Sequence, residues 1–341
     1  MEKVYKNIIV RMPNWIGDFV MALPVLEDLK KKYPNSKITI MLKESLKDLV
    51  ENISYIDEIY TFKKPKNKIY PKNIIKDLKE KKYDLGILLT NSISSAIWFY
   101  FAKVKNKIGY RNYRSIFLNS PTRFSKNRFS QHQIITYKEL LKPLSINISN
   151  TMPTLQAMET DKNKIVGLLN SYGYQKNKKL IGINAFAAYG SAKCYPIDKY
   201  ILLAKKLIED KNNFVIFIGD KKNVNKDLEV LKNENQIINL IGKTSLKDLI
   251  ALISIVDVFI SNDSGPMHIA SAFNKNLIAL FGSTSDIITS PYSKNKIVIN
   301  KRVKCSPCFK RKCPIDFKCM NEIKIEEIFK EINNFNVKKT I

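Results

Sequence analysis

Short apolar runs alternate with stretches of helical periodicity along most of this chain. Ile8-Ile9-Val10, Ile38 to Leu42, Ile59 to Phe62, Leu85 to Leu89 and Lys107 to Gly109 read as strands. Between them Phe19 to Tyr33, Ser45 to Asn52, Ile74 to Lys82 and Ser95 to Val104 carry apolar residues at helical spacing. Pro24 either lies in a late-starting first turn of its helix or marks a kink. From Tyr110 to about Ser130 the pattern gives way to a polar, Arg-rich loop, and a helix follows from about Ile134 to Leu141. The stretch from Pro153 to Lys179 holds Pro153, Gly173 and a lysine cluster, and is the expected domain junction.

The alternation then restarts. Leu180 to Ile183, Phe214 to Ile218, Ile237 to Leu240, Val256 to Ile260 and Leu277 to Phe281 read as strands. Ile197 to Glu209, Leu246 to Ile253 and Met267 to Phe273 read as the helices among them. Strand and helix in strict alternation predict an α/β fold with parallel, doubly wound sheets covered on both faces. Two such rounds predict two domains, residues 1–160 and 161–341, the second ending in a cysteine-rich loop and a terminal helix. A cleft facing the carboxyl ends of both sheets is the expected place for a nucleotide or sugar nucleotide.

Composition narrows the class. At 341 residues, 45% hydrophobic and 26% charged, the chain can bury two cores, so wholesale disorder is excluded. No apolar run approaches the roughly 18 residues of a membrane span. The amino-terminal Met1-Glu2-Lys3-Val4-Tyr5-Lys6 has no small-residue cleavage site, so a cytoplasmic protein without a secretory signal is expected. The 58 Lys and Arg against 31 Asp and Glu leave a net charge of +27, which favours anionic partners. Much of that charge is solvated helix surface, as in Asp28-Leu29-Lys30-Lys31-Lys32. Zinc-finger spacing and an aromatic RNP run are both lacking, so nucleic acid is not the expected partner.

Four segments carry candidate chemistry. Met12-Pro13-Asn14-Trp15-Ile16-Gly17-Asp18 follows the first strand, and Asp18 stands either as a helix cap or as a general base facing the cleft. Ser261-Asn262-Asp263-Ser264-Gly265-Pro266-Met267-His268 joins a strand to a helix, where free amides form an anion site; an ordinary capped turn is the alternative. Tyr189-Gly190-Ser191-Ala192-Lys193 offers close backbone approach and one ammonium for a phosphate. Cys305, Cys308, Cys313 and Cys319 form a C-x2-C-x4-C-x5-C cluster whose expected role is a structural clamp, with or without zinc. That spacing is not the paired C-x2-C of common zinc ribbons. G-x-G-x-x-G, G-x-x-x-x-G-K-[ST] and G-x-S-x-G motifs are absent, which argues against dehydrogenase, P-loop and hydrolase readings.

Taken together and in order, these motifs resemble the bacterial lipopolysaccharide heptosyltransferases. Pro13 to Asp18 is similar to the family's P-x-W-x-G-D opening, Asn262 to His268 to its N-D-S-G-x-M-H signature, and Gly190 to Lys193 to its G-x-A-K loop. The Trp15 form of the first motif, with the cysteine cluster, looks most like the second-heptose branch. Two departures stand out: Ala185-Phe186-Ala187 replaces P-G-A, and Lys193-Cys194-Tyr195 replaces K-R-W.

The resemblance implies a GT-B fold and inverting transfer of heptose from an ADP-heptose to the inner core of a lipid A precursor. It implies Asp18 as the base and Lys193, Thr244, Asp263, Ser264, Gly265 and His268 at the sugar donor. Trp15, Arg111 and Arg114 are then expected at the acceptor. No catalytic metal or cofactor is expected, the donor being a substrate. The anionic glycolipid acceptor implies peripheral association with the inner face of the cytoplasmic membrane. Two alternatives stand beside this reading: a relative with another core acceptor, and a non-catalytic module binding an anionic glycolipid.

Overall fold

Residues 3–67 and 69–337 are described by the structure, a computed structural model. The chain divides into two compact units, Met1–Thr154 and Leu155–Ile341.

Unit 1 holds β1 (Asn7–Arg11), α1 (Ile16–Lys32), β2 (Lys37–Lys43), β3 (Glu58–Phe62), α2 (Lys72–Glu80), β4 (Leu85–Leu88), α3 (Ile93–Phe101), β5 (Asn106–Tyr110), β6 (Ser120–Thr122) and α4 (Gln133–Glu139). All its strands are parallel, in the order β3-β2-β1-β4-β5-β6. β1 and β4 are the central pair, and the winding reverses between them. Ile8, Ile9, Val10, Ile38, Ile40, Leu85 and Ile87 are wholly buried, as expected for strands covered on both faces. Loops leaving the carboxyl ends of β1 and β4 therefore occupy the switch point where such sheets bind ligands.

Unit 2 holds α5 (Glu159–Ser171), β7 (Lys179–Asn184), α6 (Ile197–Leu207), β8 (Asn213–Ile218), β9 (Ile237–Asn239), α7 (Leu246–Ile255), β10 (Val258–Asn262), α8 (Gly265–Ala272), β11 (Asn276–Phe281), α9 (Asp286–Thr289), β12 (Lys296–Asn300), α10 (Lys318–Asn321) and α11 (Ile325–Val337). Its sheet is again parallel throughout, in the order β12-β11-β10-β7-β8-β9, with the switch point between β10 and β7. Its core joins Ile183, Phe217, Ile260 and Leu280 of the strands to Leu203, Leu207, Ile328 and Ile332 of the helices.

Four local outcomes depart from the periodicity. α1 starts at Ile16, so Pro24 lies inside it, where one backbone hydrogen bond is forgone. Burial of Phe19, Leu23, Val25 and Leu26 around it keeps the helix intact. Glu44–Val50 is a 3₁₀ helix; Leu46 and Leu49, three apart, bury the same side of it. The expected junction stretch contains α5, which belongs to unit 2 and buries only Ile165 and Leu169, too weak a stripe to read. The three-residue β6 and the edge strand β12 also went unread; Pro121 sits in β6, where an edge tolerates it.

Candidate functional site

In unit 1 the chain leaves β1 at Arg11 and turns into α1 through Trp15, which occupies the N-cap position without a side-chain cap bond. Asp18 is therefore the third residue of the helix rather than its cap. A carboxylate there lies beside the unpaired first-turn amides of α1. Tyr137 of α4 donates its phenol to Asp18 Oδ1 at 3.0 Å. Burial first, and the neighbouring Asp18 carboxylate second, push the Tyr137 phenol well above its usual range, so it remains a hydrogen-bond donor. No local pattern links residues 18 and 137, and sequence reading missed this tyrosine.

The α1–α4 contact that sets this distance has its own buried clamp. Lys138 is buried and donates to Ser149 O at 2.8 Å, Ser149 Oγ at 2.9 Å and Thr151 O at 2.8 Å. Ser149 and Thr151 in turn donate to the buried Asp28 of α1, at 2.8 and 2.9 Å. Arg11 shapes the loop: its Nη2 donates to Asn14 Oδ1 at 2.8 Å and its Nη1 to Met12 O. Burial lowers its pKa to about 9.

Of the three acceptor-side residues expected, Trp15 and Arg111 are exposed, at the N-cap of α1 and just past β5. Arg114 is placed differently. It is fully buried, with Nε donating to Tyr110 O at 2.9 Å and Nη1 to Ser92 O at 3.0 Å, and burial lowers its pKa to about 10. Its guanidinium braces the loop after β5 against the loop after β4.

In unit 2 three loops meet at the carboxyl ends of adjacent strands. Asp263 follows β10, the Ser191–Lys193 turn lies downstream of β7, and Thr284 lies beyond β11. Asp263 Oδ2 accepts from Lys193 Nζ at 2.5 Å, from Thr284 Oγ1 at 2.6 Å and from Thr289 Oγ1 at 3.4 Å. The buried Asp263 carboxylate is thus turned onto Lys193 and fixes the ammonium at the switch point. Ser264 is the N-cap of α8 but makes no side-chain cap bond; its hydroxyl accepts from Asn184 Nδ2 at 2.9 Å. Gly265 and Pro266 open the helix, and His268 is buried near its start. Thr244 precedes Ser245, the N-cap of α7, and follows the edge strand β9.

Thr284 was not singled out from sequence, although the carboxyl end of an interior strand next to the switch point is a position that could have flagged it. The two departures from the family pattern serve the core. Phe186 packs against the hydrophobic cluster, and Tyr195 is buried, edge-on to Tyr200 at 5.1 Å, donating its hydroxyl to Ile323 O at 3.0 Å.

The cysteine-bearing loop braces this site. Ala192 N donates to Arg311 O at 3.0 Å, Tyr189 Oη to Phe309 O at 2.6 Å, and Phe309 N to Ser283 O at 2.7 Å. Gly190, at φ +157, lies so close that a Cβ there would stand 2.2 Å from Arg311 O. All four cysteines are free thiols and, with Ala192, Gly282 and Ser283, line a cavity of about 110 Å³. Burial pushes the Cys319 thiol up to about 11, with the nearby Cys305, Cys313 and Cys308 adding to the shift. Among the described residues no group of three or more His, Cys, Asp or Glu is arranged to hold a metal ion.

Two doubly wound parallel α/β units in one chain, the second presenting a fixed ammonium and a helix N-terminus at its switch point, define a glycosyltransferase of the GT-B class. The chain belongs to glycosyltransferase family 9 (heptosyltransferase), whose family model matches residues 72–318. It is 26% identical to lipooligosaccharide heptosyltransferase 2 of Campylobacter jejuni over 96% of this chain and 98% of that one. It is 30% identical to lipooligosaccharide heptosyltransferase 2 of Haemophilus ducreyi over 86% and 88% of the two chains. Among solved structures it is similar to Escherichia coli ADP-heptose lipopolysaccharide heptosyltransferase II, with a TM-score of 0.82, 26% identity and coverage of 98% and 100%.

Proposed function

We propose that this glycosyltransferase moves heptose from ADP-L-glycero-D-manno-heptose to the heptosyl-Kdo inner core of a lipid A precursor, with inversion at the anomeric carbon. The observation that carries the reading is the Lys193–Asp263 pair beside the α8 N-terminus, in a chain whose relatives are named heptosyltransferase 2 along most of their length. A nucleotide-sugar reaction needs stabilisation of the departing diphosphate, and a buried-side ammonium with first-turn amides supplies it. Asp263 holds Lys193 in place. Asp18 takes the proton of the acceptor hydroxyl. That oxygen attacks the anomeric carbon, the bond to the β-phosphate oxygen breaks, and ADP leaves with the electron pair. Tyr137 fixes one oxygen of the Asp18 carboxylate. Trp15, Arg111 and Arg114 are the acceptor-side residues of this reading, and Thr244, Ser264, Gly265 and His268 the further sugar-donor residues. A lipid-linked acceptor places the enzyme at the cytoplasmic face of the inner membrane; no helix among the described residues is long and apolar enough to cross a membrane.

Incubation with ADP-heptose and acceptors of graded core length tests this reading. ADP should form only when acceptor is present, and a Kdo core already bearing one heptose should gain a second by mass. Heptosylation of the bare Kdo core alone would assign the enzyme to the first heptose. Absence of transfer from ADP-heptose to every acceptor would leave a glycolipid-binding module.

A further inference from the structure

Unit 1 is charged on one side of the ledger only over long stretches. From residue 85 to residue 138 the chain has nine Lys or Arg and no Asp or Glu, and from 61 to 76 it has six Lys and no carboxylate. Within this basic region runs a row of rings in unbroken contact. Tyr70 meets Phe101 edge-on at 5.0 Å between centroids, Phe101 meets Tyr100 at 5.5 Å, and Tyr100 meets Phe117 at 5.5 Å. Tyr70, Phe101 and Tyr100 are 40%, 44% and 48% exposed, and Ile69 and Ile116, next in the chain to Tyr70 and Phe117, are 66% and 82% exposed. Single exposed apolar residues are ordinary, whereas a contiguous row marks an interaction surface. At its Tyr70 end the row borders a depression of about 610 Å³ lined by Lys63, Lys64, Lys66 and Lys72; no described lining residue is a carboxylate, and the nearby Glu44 and Asp77 meet only Lys63, at 3.6 Å, and Tyr60, at 2.9 Å, of that lining.

We propose that this surface docks the enzyme on an anionic lipid bilayer. The tyrosine and phenylalanine rings and the two isoleucines enter the boundary between headgroups and acyl chains, the depth that amphipathic rings favour. The lysines lie over lipid phosphates, and long-range attraction to a negative surface falls off within a Debye length. The rings engage one another edge to face instead of standing open as separate stacking platforms, and Ile69 and Ile116 match hydrocarbon rather than bases. The purpose of the contact rests on the lipid-linked acceptor proposed above; the contact itself needs neither substrate.

Sedimentation of the full chain with phosphatidylcholine vesicles, and with vesicles carrying phosphatidylglycerol, tests it without any sugar transfer. Binding should require phosphatidylglycerol and weaken as salt is raised. Tyr70→Ser combined with Tyr100→Ser and Phe101→Ser should reduce vesicle affinity by about tenfold or more, since buried apolar area sets interfacial binding. Lys64→Gln with Lys66→Gln and Lys72→Gln, all exposed, should abolish the preference for phosphatidylglycerol and keeps the test open if the ring variant misfolds. Both variants should transfer heptose normally to an acceptor stripped of its acyl chains and slowly to one embedded in vesicles. Vesicle binding unaltered in both variants would overturn the proposal. Equal losses on the stripped acceptor would make the surface part of the acceptor site instead. Tighter binding to a single-stranded RNA homopolymer than to vesicles, lost in the same variants, would reassign it to nucleic acid. Failure of heptose transfer by the unaltered chain, with vesicle binding intact, would count against the proposed reaction alone.

Discussion

Lys193 and Asp263, seventy residues apart, form a mostly buried ion pair: Nζ lies 2.5 Å from Oδ2, and the side chains are 14% and 5% exposed. Thr284 donates to the same oxygen at 2.6 Å. An ammonium held this way keeps one proton on its partner and presents the others to a ligand in a fixed direction. The pair therefore aims a charge at the carboxyl end of the sheet instead of letting it sweep through solvent.

Lys193→Ala should reduce kcat/KM for ADP-heptose by about 1.5–3 kcal/mol, the range for a hydrogen bond to a charged group. Asp263→Ala leaves the ammonium without its counter-ion, so it should both weaken the sugar donor and destabilise the fold, by about 3–5 kcal/mol for a broken buried pair. Initial rates with each substrate varied in turn decide the matter. A Lys193→Ala variant that loses as much toward acceptor as toward ADP-heptose would remove Lys193 from the diphosphate.

Asp18→Asn keeps the size of the side chain and should lower turnover by roughly 10²–10⁴ with little change in stability. Tyr137→Phe removes the hydrogen bond that fixes Oδ1 of Asp18, so it should lower kcat with the temperature of unfolding changed little. An Asp18→Asn enzyme of normal turnover would leave that carboxylate only a first-turn residue of α1.

The legible part of this molecule is its alternation. Runs such as Phe214 to Ile218 and Leu277 to Phe281 are buried strands of six residues in the structure, because parallel strands covered on both faces need continuous apolar sequence. Asp18, Lys193 and Asp263 were legible because each sits in a short motif at the end of such a run. What stayed hidden depends on contacts far apart in the chain. Tyr137 is 119 residues from Asp18, and the buried Arg114 looked like any other cation of an Arg-rich loop. The junction was read through α5 because that helix buries only two apolar side chains, although the ion pairs Lys164–Asp248 at 2.7 Å and Lys247–Asp161 at 3.5 Å link α5 to α7.

Acid should unfold the protein through a few anchored carboxylates. Burial pushes Asp57 up, but hydrogen bonds from Ile38 N and Lys30 outweigh it and hold its pKa below 3.8. Asp84 is likewise raised by burial and brought lower overall by Lys105, Asn7 N and Lys6 N. A depressed folded pKa contributes stability that is present above the unfolded value and lost as pH falls through the folded one. Stability should thus fall as pH drops below about 4, where the unfolded chain binds protons first. Asp57→Asn should lower stability at neutral pH and flatten that acid decline. An acid transition of undiminished steepness in Asp57→Asn would show that other groups govern it.

The contact between Gly190 and Arg311 packs the cysteine loop against the turn that carries Lys193, the residue proposed to meet the diphosphate, even though none of the loop's thiols is needed for transfer in the proposed reaction. An alanine Cβ at Gly190 would stand 2.2 Å from Arg311 O and 2.9 Å from its carbonyl carbon, both backbone atoms that cannot swing aside. Either the loop carrying Arg311 or the turn carrying Lys193 must shift, and the 3.0 Å bond from Ala192 N to Arg311 O goes with it. Gly190→Ala should therefore raise KM for ADP-heptose by about tenfold or more, equivalent to about 1.4 kcal/mol, and leave KM for acceptor nearly unchanged. Cys319→Ser puts a hydroxyl into the buried side of the same cavity and should lower the temperature of unfolding more than turnover per folded molecule. Gly167→Ala is the internal comparison: nothing lies within 4 Å of its Cβ position in α5, so it should stabilise the chain by about 0.5–1 kcal/mol and leave both KM values alone. A Gly190→Ala enzyme with normal KM for ADP-heptose would show that Lys193 keeps its position without the brace.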